Sequence, residues 1–283
     1  MGPAVTRAGR PAIRTARADD LGRLGPLYEA AGFGARLAGV VGFARARLEG
    51  EVMVAEAGGA LVGVAAGAVF VGTGWVGGVA VVPAHRRAGL GGALTEAIVG
   101  FLEGRGVATA LLHATALGRP VYERLGFVPE TAYLTLTGPT LPRFSRDPLV
   151  RPGRAADLEA VVALDLAATG EDRRRLLAAL WPAGGLVAAA DGRPLGYHLA
   201  SPWRSGGATI AADPGSGLAL LDAVRAAPGD EVSLSVPAAN PTAVQFLEAA
   251  GFSERYRTIR MHRGPRVPWD PATLFGAHNL FWG

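Results

Sequence analysis

The sequence predicts an α/β layer fold built twice over, and three observations carry that expectation. Short runs rich in Val, Ala and Gly alternate with amphipathic helical stretches, the pattern of strands layered with helices. The 283 residues exceed the usual size of one domain. The chain also repeats itself at long period. Ile13-Arg14-Thr15-Ala16-Arg17-Ala18-Asp19-Asp20-Leu21 parallels Val150-Arg151-Pro152-Gly153-Arg154-Ala155-Ala156-Asp157-Leu158, and Leu125-Gly126-Phe127 parallels Ala250-Gly251-Phe252. Each Gly-Phe leads into an alternating strand and a closing glycine, Gly138 or Gly264.

In chain order, residues 1–11 carry Arg7 and Arg10 with no apolar stretch behind them, so they read as a disordered leader and not a signal peptide. Strands follow near 12–15, 51–57, 60–70, 74–82, 107–113 and 131–137, with helices near 19–31, 35–48, 90–105 and 119–125. Aspartates mark the first helix start, and Pro120 suits the first turn of the last helix. The first domain is thus expected over 12–138, a proline-bearing linker over 139–149 and a second domain over 150–264. The segment 265–283 carries Trp269, Phe275, Phe281 and Trp282, a density of aromatics expected of a tail packed on the body.

Composition excludes several classes. Hydrophobic residues make up 49% and charged residues 18%, which is not a disordered chain. Without cysteine there are no disulfides, thiolate nucleophiles or cysteine metal sites. The five histidines lack paired ligand spacing, so no metal is expected. Net charge is +4 while the pI is about 10.1, because every basic residue is arginine and none is lysine. The high pI is therefore a composition effect, and no nucleic-acid partner is expected. Arg173-Arg174-Arg175 reads as a solvated helix face. No apolar run spans a membrane, and the expected location is the cytoplasm. The expected state is a monomer or homodimer.

The chemistry concentrates in Arg86-Arg87-Ala88-Gly89-Leu90-Gly91-Gly92, between the apolar run Val79-Ala80-Val81-Val82-Pro83 and the helical pattern Leu94, Ile98, Phe101, Leu102. A strand, glycine turn and helix in succession aim unpaired N–H groups and the positive end of a helix dipole at one spot, which suits a diphosphate. Arginines add charge-assisted hydrogen bonds. A dinucleotide fingerprint would need a third glycine and an acid after the next strand, where His113 stands instead. A Walker loop would need a lysine.

What remains is Arg-x-x-Gly-x-Gly after Val-x-Pro, made by Arg86, Gly89 and Gly91 after Val81 and Pro83. This resembles the pyrophosphate loop of the GNAT superfamily of N-acetyltransferases. Val121-Tyr122-Glu123-Arg124-Leu125-Gly126-Phe127 is similar to that family's Tyr-x-x-x-Gly-Phe element. The resemblance implies tandem GNAT folds, each a mixed, mostly antiparallel twisted sheet flanked by helices, and acetyl-coenzyme A as co-substrate. It further implies that Val79, Ala80 and Val81 hold the pantetheine arm and that Arg86, Arg87, Ala88, Gly89, Leu90, Gly91 and Gly92 hold the diphosphate. The reaction it implies is direct attack of an amine on the thioester, with Tyr122 near the sulfur.

The second half departs from this pattern. Gly215-Ser216-Gly217 copies the glycines, but Ala212 stands where Arg86 would and Asp213 would repel a diphosphate. Leu247 replaces Tyr122, while Asn240 occupies the place of Thr115, where the family often has Asn. The layout resembles bacterial two-domain members with an active N-terminal and a degenerate C-terminal domain, so one coenzyme site per chain is expected. The fourth strand offers no acidic base. His113 is the candidate proton acceptor, with a satisfied strand-end histidine as the equally plain alternative. Glu51 and Glu56 are weaker candidates, and His85 reads as a surface residue. The acceptor, a small-molecule amine, is expected between the two halves, with Tyr197, His198 and Trp203 as lining residues or simply core. A non-catalytic acyl-coenzyme A sensor or scaffold, and a protein or peptide N-acetyltransferase, are the competing functions.

Overall fold

The structure is a computed structural model that describes residues 11–141, 147–203, 206–226 and 229–283, with backbone only at Ala183. The leader expected over 1–11 lies, up to residue 10, outside the described residues, as do residues 142–146 of the expected linker. The chain divides into two compact units, one of residues 1–69 and 76–106, the other of residues 70–75 and 107–283.

In the first unit, strand β1 (Ala12–Thr15) leads into helices α1 (Ala18–Leu21), α2 (Leu24–Ala30) and α3 (Leu37–Arg47). The meander β2 (Glu51–Ala57), β3 (Ala60–Val69) and β4 (Thr73–Val81) follows, then helix α4 (Leu90–Gly104). Strands β1, β2 and β3 pair antiparallel in that order, with β4 beside β3. Helix α4 buries Leu94, Ile98 and Leu102 toward β2 and β3. It lies so close to β3 that a Cβ on Gly63 would stand 2.9 Å from Leu94 Cδ1.

The second unit starts from Thr73–Trp75 of β4, which pair in parallel with β5 (Thr109–Ala114) and stop at Trp75↔Leu111. Helix α5 (Arg119–Arg124) and strand β6 (Val128–Pro139) follow. The repeat then begins with β7 (Val150–Pro152), α6 (Leu158–Thr169), α7 (Arg174–Leu180), β8 (Gly185–Ala190), β9 (Arg193–Ala200), β10 (Gly207–Ala211), α8 (Pro214–Val224), β11 (Glu231–Pro237), α9 (Pro241–Ala249) and β12 (Ser253–Arg263). A short strand β13 (Leu274–Gly276) ends the series.

The two halves exchange their closing strands. Strand β12 lies between β5 and β6, antiparallel to both, and β6 in turn pairs with β11. A second sheet runs β13-β10-β9-β8-β7. Leu134, Leu136, Leu221, Val232, Leu234, Val236, Leu247, Phe252 and Phe275 form one buried cluster across these elements. The internal duplication is visible in local chemistry as well. Arg14 forks onto Asp20, which accepts the Arg17 N–H; Arg151 forks onto Asp157, which accepts the Arg154 N–H.

Candidate functional site

Strand β4 is irregular just before the residues expected to hold a pantetheine arm. Gly78 takes a positive φ of 60°, and the phenol of buried Tyr28 donates to its carbonyl at 2.9 Å. Val79 and Val81 are half-buried and Ala80 is buried. Sequence reasoning missed Tyr28 and Gly78, although paired glycines inside a strand pattern are a bulge signal.

Beyond β4, a 3-10 turn over Pro83–His85 brings the chain to Arg86. Arg87 has φ +63° and Gly89 φ +76°, so the backbone doubles back through left-handed residues before Leu90 starts α4. Gly89 is the N-cap, and no side chain caps this helix. The N–H groups of Leu90, Gly91 and Gly92 have no intrahelical acceptor by construction. Arg87, Ala88 and Gly89 are exposed, and a Cβ on Gly89 would meet nothing within 4 Å. The result is an open, positively polarised helix end, the arrangement that binds phosphate oxygens. A pocket of about 240 Å³ beside it is lined by Pro11, Ile13, His85, Ala88, Leu90 and Ala93, which gives His85 a place in a wall.

The Arg86 guanidinium is engaged by backbone carbonyls. Its Nε donates to the Val81 carbonyl at 2.8 Å and one Nη to the Ala31 carbonyl at 2.7 Å. The side chain folds back and ties the turn to β4 and to the end of α2. Arg86 and Arg87 are both exposed, and Arg86 is the one tied to backbone carbonyls.

In the second unit, Tyr122 sits on α5 with its ring edge-on to Phe127 and packed over Gly118, where a Cβ would stand 2.9 Å from Cε2. Burial pushes its phenol up to about 12, and no acceptor takes its O–H among the described residues. Thr115 accepts the Gly118 N–H at 3.2 Å, which shapes the turn into α5.

His113 lies on β5, stacked on Trp75 at 5.3 Å and edge-on to Tyr133 at 4.5 Å. Both ring nitrogens are buried without a hydrogen-bond partner among the described residues. Burial, aided by the nearby Arg260 guanidinium, pushes its pKa down to about 3. An imidazole held neutral in this way is a weak proton acceptor at pH 7. Arg260 lies 4.3 Å over the Trp269 ring and pairs with Glu130.

Glu171, which the sequence did not single out, is buried against the first residues of β4. It accepts from Thr73 Oγ1 at 2.7 Å and Trp75 Nε1 at 3.0 Å, and burial holds its carboxyl above the usual range. Arg173 corrects the expectation of a solvated arginine face. It is 3% exposed and forks onto Asp165, because that buried carboxylate needs a counter-charge. Arg174 is exposed and pairs with Glu159. Tyr197 donates to Asp165, and His198 shares a 2.9 Å hydrogen bond with Thr209, so both are buried core residues. Trp203 packs edge-on to His278 and Trp282.

The glycine turn of the second half is closed where that of the first is open. Asp213 caps α8, accepting the Ser216 N–H at 2.9 Å and its hydroxyl at 2.8 Å. Gly217 is covered by Phe275: a Cβ there would stand 2.3 Å from the ring. Asn240 caps α9 through the Ala243 N–H, and its amide donates to the carbonyls of Ala272 and Leu274.

Two family models match the chain, each described as an acetyltransferase (GNAT) domain, one over residues 48–129 and one over 161–276. No curated protein matches. Among solved structures, a Pyrococcus horikoshii protein provisionally described as an acetyltransferase superposes with a TM-score of 0.82 at 19% identity, covering 100% of this chain and 99% of its own. A GCN5-related N-acetyltransferase from Sphaerobacter thermophilus gives 0.64 at 19% identity, covering 95% and 100%. A tandem GNAT protein from the clavulanic acid biosynthesis pathway gives 0.63 at 16% identity, covering 90% and 99%.

Proposed function

Because this chain belongs to the GNAT acetyltransferase superfamily, we propose that it moves an acetyl group from acetyl-coenzyme A to a primary amine of a small molecule. The observation that carries the reading is the uncapped N-terminus of α4 behind the open turn at Arg87–Gly89. Its free N–H groups and helix dipole fit a diphosphate, and the glycine leaves room for close approach. Val79, Ala80 and Val81 would present backbone groups to the pantetheine arm. Arg86 would act by holding the turn, Arg87 as an exposed cation, and Ala88 to Gly92 through main-chain N–H groups.

In the reaction, the amine nitrogen bonds to the thioester carbon as the carbon–sulfur bond breaks. One proton passes overall from nitrogen to sulfur. With a pKa near 12, Tyr122 remains an intact phenol at neutral pH and can stabilise the departing thiolate by a hydrogen bond. Full proton transfer from it to a thiolate of ordinary basicity runs uphill, so the sulfur's final proton is assigned to solvent. His113, held neutral near 3, is a poor base, and the acceptor amine is assigned to lose its proton to water.

Coenzyme binding is assigned to the first half alone. The support is the Asp213 carboxylate in the second helix end and the Phe275 ring over Gly217. Calorimetry with coenzyme A tests the reading, with one molecule bound per chain expected; no detectable binding would falsify it. A thiol-release assay over an amine panel then identifies the acceptor. The weak basicity of His113 favours one second reading, a non-catalytic acyl-coenzyme A sensor, which gains if coenzyme binds and no amine or peptide is acetylated.

A further inference from the structure

The duplication gives both halves a pair of strands that correspond, β4 with β5 and β10 with β11. In the first half the pair meets directly over Thr73–Trp75 and Thr109–Leu111. In the second half β13 pairs with β10, at Thr209↔Gly276 and Ile210↔Leu274, and the Ala277 N–H reaches the Ser235 carbonyl of β11 at 2.7 Å. A stretch of the chain's own backbone therefore bridges the two strands. Asn240, at the place of Thr115, spends both amide hydrogens on the carbonyls of Ala272 and Leu274. Phe275 covers the glycine turn at the start of α8 and is fully buried.

We propose that the second half keeps a strand-binding cleft of the coenzyme type and that residues 272–277 are its built-in occupant. The inference rests on the proposed coenzyme reading of the first half. Chemically the substitution is reasonable. A pantetheine arm and a polypeptide both present amide N–H and C=O groups to an open strand edge, and an extended segment satisfies such an edge by strand addition. The polar contacts agree with an uncharged occupant: Asp213 already fills the helix end that a diphosphate would need. The second half thereby has a resident ligand supplied by the same chain, and no vacancy for a second coenzyme.

Hydrogen exchange on the full chain tests this, with and without coenzyme A. The amides of residues 274–277 are expected to be strongly protected and unmoved by coenzyme A. Asn240→Ala and Phe275→Ala should each speed their exchange about tenfold or more, the scale of one or two lost native contacts. A synthetic peptide of residues 268–283 should then bind Phe275→Ala, whose own segment is weakened while the cleft is intact, and speed the exchange of the displaced residues 274–277 further, while failing to bind the wild-type chain. Loop-like exchange of residues 274–277 in the wild type overturns the proposal. So does failure of the peptide to bind Phe275→Ala, or two coenzymes bound per chain. Absence of any coenzyme binding would remove the first-half reading while leaving the exchange result to stand or fall separately.

Discussion

The phenol of Tyr28 donates to the carbonyl of Gly78 at 2.9 Å, and this one bond fixes a left-handed residue in the middle of β4. The phenol is buried and Gly78 half-buried, so removing the donor takes the partner from a partly desolvated carbonyl. Tyr28→Phe should destabilise the chain by about 1–3 kcal/mol. The same change should weaken coenzyme A binding, because the residues that follow Gly78 lose their fixed direction. Urea denaturation read beside calorimetry checks both; unchanged affinity in a destabilised variant would separate Tyr28 from the site.

Arg86 and its carbonyl partners yield a sharper test, since charge and geometry make opposite forecasts. If the guanidinium served as a charge for phosphate, lysine would largely replace it. Instead Nε and one Nη reach two carbonyls, of Val81 and Ala31, in a fork that a single ammonium does not reproduce. Arg86→Lys is therefore expected to lower coenzyme A affinity about as much as Arg86→Ala. Arg87→Ala should lower affinity while making binding less salt-sensitive, as loss of an exposed charge does. Titrations at two ionic strengths distinguish the two arginines.

These two cases mark where sequence reasoning reached and where it stopped. The Val-x-Pro and Arg-x-x-Gly-x-Gly spacing located the turn, and β1 to β5 lie close to the expected segments, because hydrophobic alternation and glycine punctuation are local signals. The direction of the Arg86 side chain was not legible, since it depends on a carbonyl 55 residues away. Nor was the exchange of β6 and β12 between halves: both strands alternate equally well whichever neighbour they pair with. Arg173 reads from sequence as part of a solvated arginine face, and Glu171 carries no sequence signal at all. Their burial follows from tertiary partners, Trp75 and Asp165, that no local pattern announces.

Tyr122 carries a pH forecast. Its phenol, raised to about 12, stays protonated where free tyrosine is half ionised, near pH 10. Absorbance at alkaline pH should show this residue titrating late, and Tyr122→Phe should remove that late component. Turnover with any amine found to react should show no Tyr122-dependent loss between neutrality and about pH 10. The linkage has a definite sign: the unfolded chain loses the proton first, so the stability due to this group is full below pH 10 and is lost as pH rises toward 12.

His113 makes the opposite forecast at the acid end. Its folded pKa, pushed down to about 3, lies below the ordinary 6.5, so between these values the unfolded chain binds a proton that the folded chain refuses. Stability from this group is present above 6.5 and declines as pH falls through that window, by up to about 1.4 kcal/mol per pH unit. His198, held near 4 by burial and its place in the core, adds to the same decline. His113→Phe preserves the stack between Trp75 and Tyr133 and removes two buried nitrogens that have no partner among the described residues. The variant should accordingly match or exceed wild-type stability at pH 7 and show a shallower loss between pH 6.5 and 4. Denaturation midpoints measured across that range decide it. Acetyl transfer should survive the substitution, whereas its loss in a stable, coenzyme-binding variant would restore the imidazole as the proton acceptor.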